Sequence, residues 1–426
     1  MSDPITLVLL AGWALMGLHL PKSFTLFYAV LALLLWRSRP LRWPAAPLPL
    51  ALALLLLFSL SYALVSVQHG LWQLGGRDLL DLVSMLVLPA GGLWVGAQAA
   101  QRLSWRQMAW LWLAYGLGAL LYTWLVLLHG RVLVPDGHWL DLLRRRYDAS
   151  IPVPWGSEAT MNVRSVEQNA ALAAAWLLPG LALAWQGRQR RLGLLLCASG
   201  LAAVLASLCF HGRLGLLVVV LGGAPLLLRL SPGRRSWRRG LAVLAGAGLA
   251  LAAALLVRPR LGQRLLALLH DERFDRLVGF LPVAPQFPWG GNQLHFQAVD
   301  AQGRLLMAFD ARQGELMHNV LCDIYVRVGW LPLLALVLAL ACCLPPALVQ
   351  LRRALGSTEA AAPALLLAGV LITLAVQWLF QPLLYADGLL FFLGFLLLGF
   401  LAAARLDSDN QADQARPPCP PRSRAT

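Results

Sequence analysis

The sequence predicts an all-α, polytopic integral membrane protein, and three observations carry that prediction. Of its 426 residues 59% are hydrophobic and 13% charged, with a mean hydropathy of +0.67, whereas an average soluble domain carries roughly 25% charged residues. Apolar stretches of about 16 to 25 residues recur along most of the chain, the length a helix needs to cross a hydrocarbon core. They are rich in Leu and Ala and lack the period-two alternation of barrel strands. In lipid only helices and closed barrels satisfy their own backbone groups, so helices are expected.

Interruptions by charge, proline and glycine divide the chain into about twelve predicted spans: 5–20, 22–36, 48–67, 79–98, 108–129, 166–186, 192–209, 213–230, 240–257, 319–343, 363–383 and 387–404. The first is expected to stay in the mature chain, because it lacks a basic leader and a small-residue cleavage site. Gly92 to Gly96, and Gly246 with Gly248, read as small-residue seams for close helix contact. The six cysteines are scattered without a C-x-x-C pair and read as small hydrophobes. One transmembrane domain over 1–404 is expected, followed by a polar, proline-rich tail, 405–426, that cannot bury a core and reads as disordered.

The charge pattern sets an expected topology. The loops RSRPLR (37–42), QRLSWR (101–106), GRQRR (187–191), RLSPGRRSWRR (229–239) and LRR (351–353) alternate with loops nearly free of Lys and Arg. The positive-inside rule assigns these loops and both termini to the cytoplasm. Together with the tail they hold more than half of the 35 lysines and arginines, so topology accounts for a pI near 10.7 and no nucleic-acid partner is expected. The remainder is more informative. Arg131, Arg144, Arg145, Arg146 and Arg164 fall in one non-cytoplasmic loop, about 131–165, and Arg258, Arg260, Arg264, Arg273, Arg276, Arg304 and Arg312 in another, about 258–318.

These are the two long loops, and long loops in a compact domain are usually functional or disordered. The second opens with RPRLGQRLLALLHDERF, where Leu261, Leu265, Leu268 and Leu269 share one helical face and Arg260 and Arg264 the other. That pattern predicts an amphipathic helix lying on membrane lipids. LDLLRRRYD in the first loop is a weaker version.

Nucleotide chemistry has no support, since no Walker loop or Rossmann fingerprint occurs. The dispersed histidines and the absence of an H-E-x-x-H run give no metal signature, and no cofactor is expected. A coherent polar set does exist near the non-cytoplasmic face: Arg164 and Asn169 at the sixth span, Arg213 in FHGRLGLL, Arg273 and Arg276 in DERFDRLV, and His318 with Asn319 at the tenth. Several guanidinium forks can grip a diphosphate, staying charged at any physiological pH. A histidine titrating near neutrality can accept a proton from a hydroxyl.

Each residue also has a plainer reading. Arg213 could snorkel to headgroups, although Gly212 and Gly215 beside it suit a tight turn. Arg273 and Arg276 could be interfacial anchors, and His318 could cap its helix. Pro288, Gly290 and Gly291 in PWGGN supply turn geometry, with a backbone-lined pocket wall as the alternative.

At these residues the chain resembles the O-antigen ligase and O-antigen polymerase superfamily of bacterial envelope glycosyltransferases. The resemblance covers most of the chain: many helices, a large late periplasmic loop, and a helix opening H-N-x-x-L with a later glycine, here His318, Asn319, Leu321 and Gly329. Arg213 and Gly215 match the family's arginine-glycine turn, with Gly212 where serine is usual. Arg273 or Arg276 ahead of Pro288 and Gly291 is similar to the arginine before its Pro-x-x-Gly turn, and Arg164 with Asn169 resembles the pair after its first long loop. A position often acidic is Arg327 here, and the proline often beside the asparagine is missing.

The resemblance implies a glycan donor on undecaprenyl diphosphate and an acceptor hydroxyl on lipid A-core oligosaccharide for a ligase, or on another lipid-linked repeat for a polymerase. It implies a bacterial inner-membrane enzyme working at the periplasmic face without metal and with inversion. His318 and Arg213 would be catalytic, and Arg164, Asn169, Arg273, Arg276 and Asn319 would bind substrate. The ligase reading is preferred for its single large loop. A flippase for lipid-linked sugars or an anion transporter is the alternative of another class, and it calls for charges deep in spans and repeat symmetry.

Overall fold

The computed structural model describes residues 4–20, 23–37, 40–68, 89–132, 150–152, 160–162, 171–186, 189–209, 214–229, 272–291, 294–299, 305–311, 317–357, 359–380 and 388–404. The chain is mostly helical. In order it forms α1 (Pro4–Gly17), α2 (Ser23–Arg37), α3 (Leu48–Gln68), α4 (residues 89–99) and α5 (Trp105–Val132). A short antiparallel pair, β1 (Ser150–Pro152) with β2 (Thr160–Asn162), precedes α6 (Leu177–Gln186), α7 (Arg190–Cys209), α8 (Leu214–Gly222) and α9 (Ala224–Arg229). Then come α10 (Glu272–Val283), β3 (His295–Val299), β4 (Leu305–Asp310), α11 (Val320–Val328), α12 (Trp330–Gly356), α13 (Ala361–Phe380) and α14 (Gly388–Ala403).

Among the described residues, five helices are long and apolar enough to cross a membrane: Leu48–Gln68, Trp105–His129, Arg190–Ser207, Trp330–Gly356 and Ala361–Phe380. Straight-chain and small apolar residues dominate them, so helix propensity and lipid compatibility point the same way. Shorter apolar helices pack among them, including residues 4–17, 171–185 and 389–403. The chain is therefore a helical membrane protein, and the finer count of twelve goes beyond these five. Residues 79–88 and 240–257 of the expected spans, with Gly246 and Gly248, lie outside the described residues.

α14 sits at the centre of the bundle. Every residue from 389 to 401 is buried, as expected of a helix that is apolar all round. The seam read at Gly92 and Gly96 is what lets it in: a Cβ at Gly96 would run into the Leu396 carbonyl, and one at Gly399 into the Leu93 carbonyl. Small residues on both helices thus bring α4 and α14 into backbone contact.

Three expectations change. The tenth span does not start at residue 319, because α11 is a separate helix of 9 residues, about 14 Å long and too short to cross. The spanning helix starts at Trp330 and runs through Pro345 and Pro346 to Gly356, so Arg352 and Arg353 lie in its last turns and not in a loop. Prolines are tolerated there because helix neighbours and local adjustment compensate for lost hydrogen bonds. The late loop also holds a β-hairpin that the all-α expectation omits. The helix expected over 258–274 lies almost entirely outside the described residues, and the amphipathic helix that is described, α10, starts at Glu272.

α10, the hairpin and α11 bury a second, small core: Phe280, Ala284, Leu294, Phe296, Phe309 and Met317 with Cys322 and Val326. β3 and β4 pair antiparallel with His295 opposite Asp310, and Phe296 stacks on Phe309 at 5.1 Å. This lobe stands at the Trp330 end of α12. Half-exposed Trp289 and Trp330 rings, 6.4 Å apart, mark the junction, and tryptophan prefers the membrane boundary.

Candidate functional site

The lobe is locked to the bundle by the PWGG turn. Pro288 and Trp289 lead into Gly290 and Gly291, with φ of 65° and 85°. The Pro288 carbonyl accepts from the Trp330 N–H at 2.9 Å, and the Gly291 N–H donates to the Arg327 carbonyl at 2.8 Å. One turn thereby satisfies an orphan donor at the start of α12 and an orphan acceptor at the end of α11. The join is backbone on backbone: Gly329 has φ 78° and ψ −166°, and a Cβ there would meet the Pro288 carbonyl and Trp289. The turn reading of PWGGN holds, with its backbone given over to this dock. Tyr325 adds a second tie, donating to the Ala284 carbonyl at 2.7 Å and meeting Phe280 edge to face.

The other end of α11 carries the His-Asn pair. Asn319 is the N-cap: its Oδ1 accepts from the N–H groups of Leu321 (3.0 Å) and Cys322 (3.2 Å). Its Nδ2 donates to the Leu379 carbonyl at 3.1 Å, which fixes the helix start to the end of α13. The cap of this helix is thus Asn319, and His318 stands just before it, half-buried, with φ 57°.

A bulky residue at positive φ is uncommon and needs a reason. His19, the other such residue described, has φ 50° and closes α1 with its N–H on the Met16 carbonyl, an ordinary left-handed helix end. His318 precedes a helix, where no such requirement exists. What holds it is on either side: Asn319 caps the helix, and the Met317 N–H donates to Asp323 Oδ1 at 2.6 Å.

Asp323 is the charged side chain most hidden among the described residues, 2% exposed, and its Oδ2 is buried with no hydrogen-bond partner. Burial raises its pKa from 3.8 to about 7, against the opposing pull of the Met317 N–H, Arg327, the Asn319 backbone and Arg276. Arg276 reaches this neighbourhood from α10, its guanidinium 5.9 Å from the Phe309 ring centre. The fold therefore brings Arg276 and Arg327 within electrostatic reach of Asp323, on the helix that Asn319 caps and His318 precedes. The backbone of Arg273 lies one turn earlier on α10, its side chain outside the described set, as are Arg164, Asn169 and Arg213.

Asp323 and the hairpin were not singled out from sequence, although both left signals. An acid inside the apolar run VLCDIYV is costly unless partnered, HFQAV opens with period-two alternation, and LLMAFD is a short apolar run of strand length.

A cleft of another kind lies elsewhere among the described residues. A cavity of ≈ 1460 Å³ opens near the Gly356 end of α12, walled by Arg42, Trp43, Arg102, Arg106, Gln350 and Glu359 among others. It shares no residue with the His318 lobe. Gln98, fully buried, holds its rim by accepting from the Arg42 N–H at 3.0 Å and donating to the Arg42 carbonyl.

Fold and lobe together define a helical membrane protein with a small mixed α/β lobe docked at one end of a spanning helix. No protein-family model and no curated protein matches the chain.

Proposed function

We propose that the chain is a membrane glycosyltransferase of the O-antigen ligase type, moving a glycan from undecaprenyl diphosphate to a sugar hydroxyl of lipid A-core at the periplasmic face of a bacterial inner membrane. The observation that carries the reading is His318: an imidazole held at positive φ by two flanking ties, at the start of a helix whose Asp323 lies in reach of Arg276. Strained conformations kept by surrounding structure concentrate at functional sites.

In this reading the acceptor hydroxyl oxygen attacks the anomeric carbon, and its proton passes to the His318 imidazole. The bond from that carbon to the diphosphate oxygen breaks, and the electron pair leaves with the diphosphate. Arg213, Arg273, Arg276 and Arg164 with Asn169 hold the diphosphate and stabilise its growing charge. One displacement gives inversion. Asn319, with both side-chain heteroatoms bonded within the protein, serves the site by anchoring α11 to α13.

A transporter reading calls for charges buried inside spans. Among the described residues the buried charge is Asp323, outside all five candidate spans, which favours chemistry at one face.

The test is loss of the gene in its host. Lipopolysaccharide ending at bare core, with polymerised glycan stranded on its lipid carrier, is the expected result. Core capped by a single repeat would mean a polymerase, and unchanged lipopolysaccharide with substrate retained on one membrane face would mean a transporter.

A further inference from the structure

Asp323 is expensive where it sits. A carboxylate with one buried oxygen unpartnered costs free energy that an apolar residue would not, and the small core around it, Phe280, Phe296, Phe309 and Val326, offers an apolar environment. Its Oδ1 accepts from the Met317 N–H, immediately before His318. Its neighbouring positive charges come from two elements, Arg276 on α10 and Arg327 on its own helix, and the adjacent Cys322 thiol is pushed up to about 12 by burial and by Asp323 itself. Among the described residues, α3 and α13, which pack on α11, contain no charge, those of α12 are Arg352 and Arg353 at its far end, and the hairpin carries His295 opposite Asp310.

We propose that Asp323 is the positioning residue of His318, a carboxylate latch that holds Met317 and His318 in place when ionised and draws Arg276 of α10 toward the same point. Protonation loosens the latch, so the site carries a built-in pH dependence. The proposal deepens the glycosyl-transfer reading and rests on it for its activity readout.

The physical sequence is simple. An ionised carboxylate accepts the Met317 N–H with charge assistance, and the short 2.6 Å separation suits that bond. Neutralising it weakens the bond and removes the attraction for Arg276. Two flanking residues then hold a left-handed histidine less firmly. The group would switch near neutrality because burial and the two arginines act in opposite directions on it.

The experiment uses the full chain reconstituted in proteoliposomes with a lipid-diphosphate-linked glycan and core acceptor, comparing wild type, Asp323→Asn, Asp323→Ala and His318→Ala. Asp323→Asn keeps an acceptor for Met317 and imitates the protonated acid. Its kcat should match wild type near pH 5.5 and fall about tenfold below it at pH 8, with KM changed less. Both proteins keep His318, so their kcat ratio reads the change at Asp323. A ratio constant with pH would overturn the proposal. Hydrogen exchange of the 315–320 amides supplies a readout that needs no activity: Asp323→Ala should lose protection at Met317, and unchanged protection would equally overturn it. If wild type transfers nothing, or His318→Ala transfers fully, the glycosyl-transfer reading fails while the exchange result still decides the latch.

Discussion

α12 has two very different ends. At Trp330 it follows a glycine with φ 78° pressed onto a neighbouring turn, a capped short helix, a left-handed histidine and a buried carboxylate. At Gly356 it ends against an open cleft with exposed arginines, where a Cβ on the glycine would meet nothing within 4 Å. Both ends hold arginine, glycine and tryptophan within a few residues, so composition alone does not separate them. Burial and backbone strain do. At one end a buried carboxylate and a left-handed histidine are fixed by specific partners, as a site requires, and at the other the arginine side chains are exposed.

The largest separation between the ends should appear in chemistry. His318→Ala should lower transfer about 10²- to 10⁴-fold, the range for loss of a general base, whereas Arg106→Ala at the cleft should stay within about twofold. Comparable losses at both would erase the distinction.

The glycines come next. Gly329→Ala forces a side chain into a conformation that is essentially restricted to glycine, at a cost of about 1 to 3 kcal/mol, and it should undock the PWGG turn and reduce transfer with it. Gly356→Ala should be neutral or gain up to about 0.5 kcal/mol, since alanine is the better helix residue. Thermal unfolding in detergent reads both, and equal shifts would refute the docking role.

Acidity offers a third contrast, with an inverted sign. Asp323 has a folded value of about 7, above its ordinary 3.8, so between those values the folded chain keeps a proton that the unfolded chain has lost. Its contribution is full below about pH 4 and disappears as pH rises through 7. Asp323→Asn should therefore raise Tm at pH 8 more than at pH 5 while impairing transfer at pH 8. A stabilised but less active variant is what a site residue gives, and a destabilised one at pH 8 would argue for a structural acid.

The smallest effects concern caps. Asn319→Ala should cost about 1 kcal/mol, plus the tie to Leu379. Ser357→Ala, removing two 3.3 Å contacts from the N–H groups of Glu359 and Ala360 at the other end, should cost less and leave transfer unchanged.

Much of this was legible in the sequence, for reasons that can be named. The Leu and Ala runs at 48–67 and 363–383 read as spans because hydrophobic length decides that question, and Gly92 and Gly96 read as a seam because only small residues let helices touch. The tenth span was misread because α11 and α12 are one apolar run: the break at Gly329 depends on a turn supplied from residues 288–291, some forty positions earlier. Pro345 and Pro346 misled in the opposite direction, since prolines mark ends in water more reliably than in a bundle. At the site, His318 and Arg276 stood out by residue type. Asp323 did not, because its significance lies in its burial and in the Met317 N–H it accepts, and neither follows from local spacing.

The most direct test of the central claim is transfer by purified wild type and His318→Ala under matched conditions, using a lipid-diphosphate-linked glycan of defined anomeric configuration and core oligosaccharide. The account predicts a new glycosidic bond of inverted configuration from wild type and at least about a 10²-fold slower reaction from the variant. Full transfer by His318→Ala, or a product of retained configuration, would contradict it.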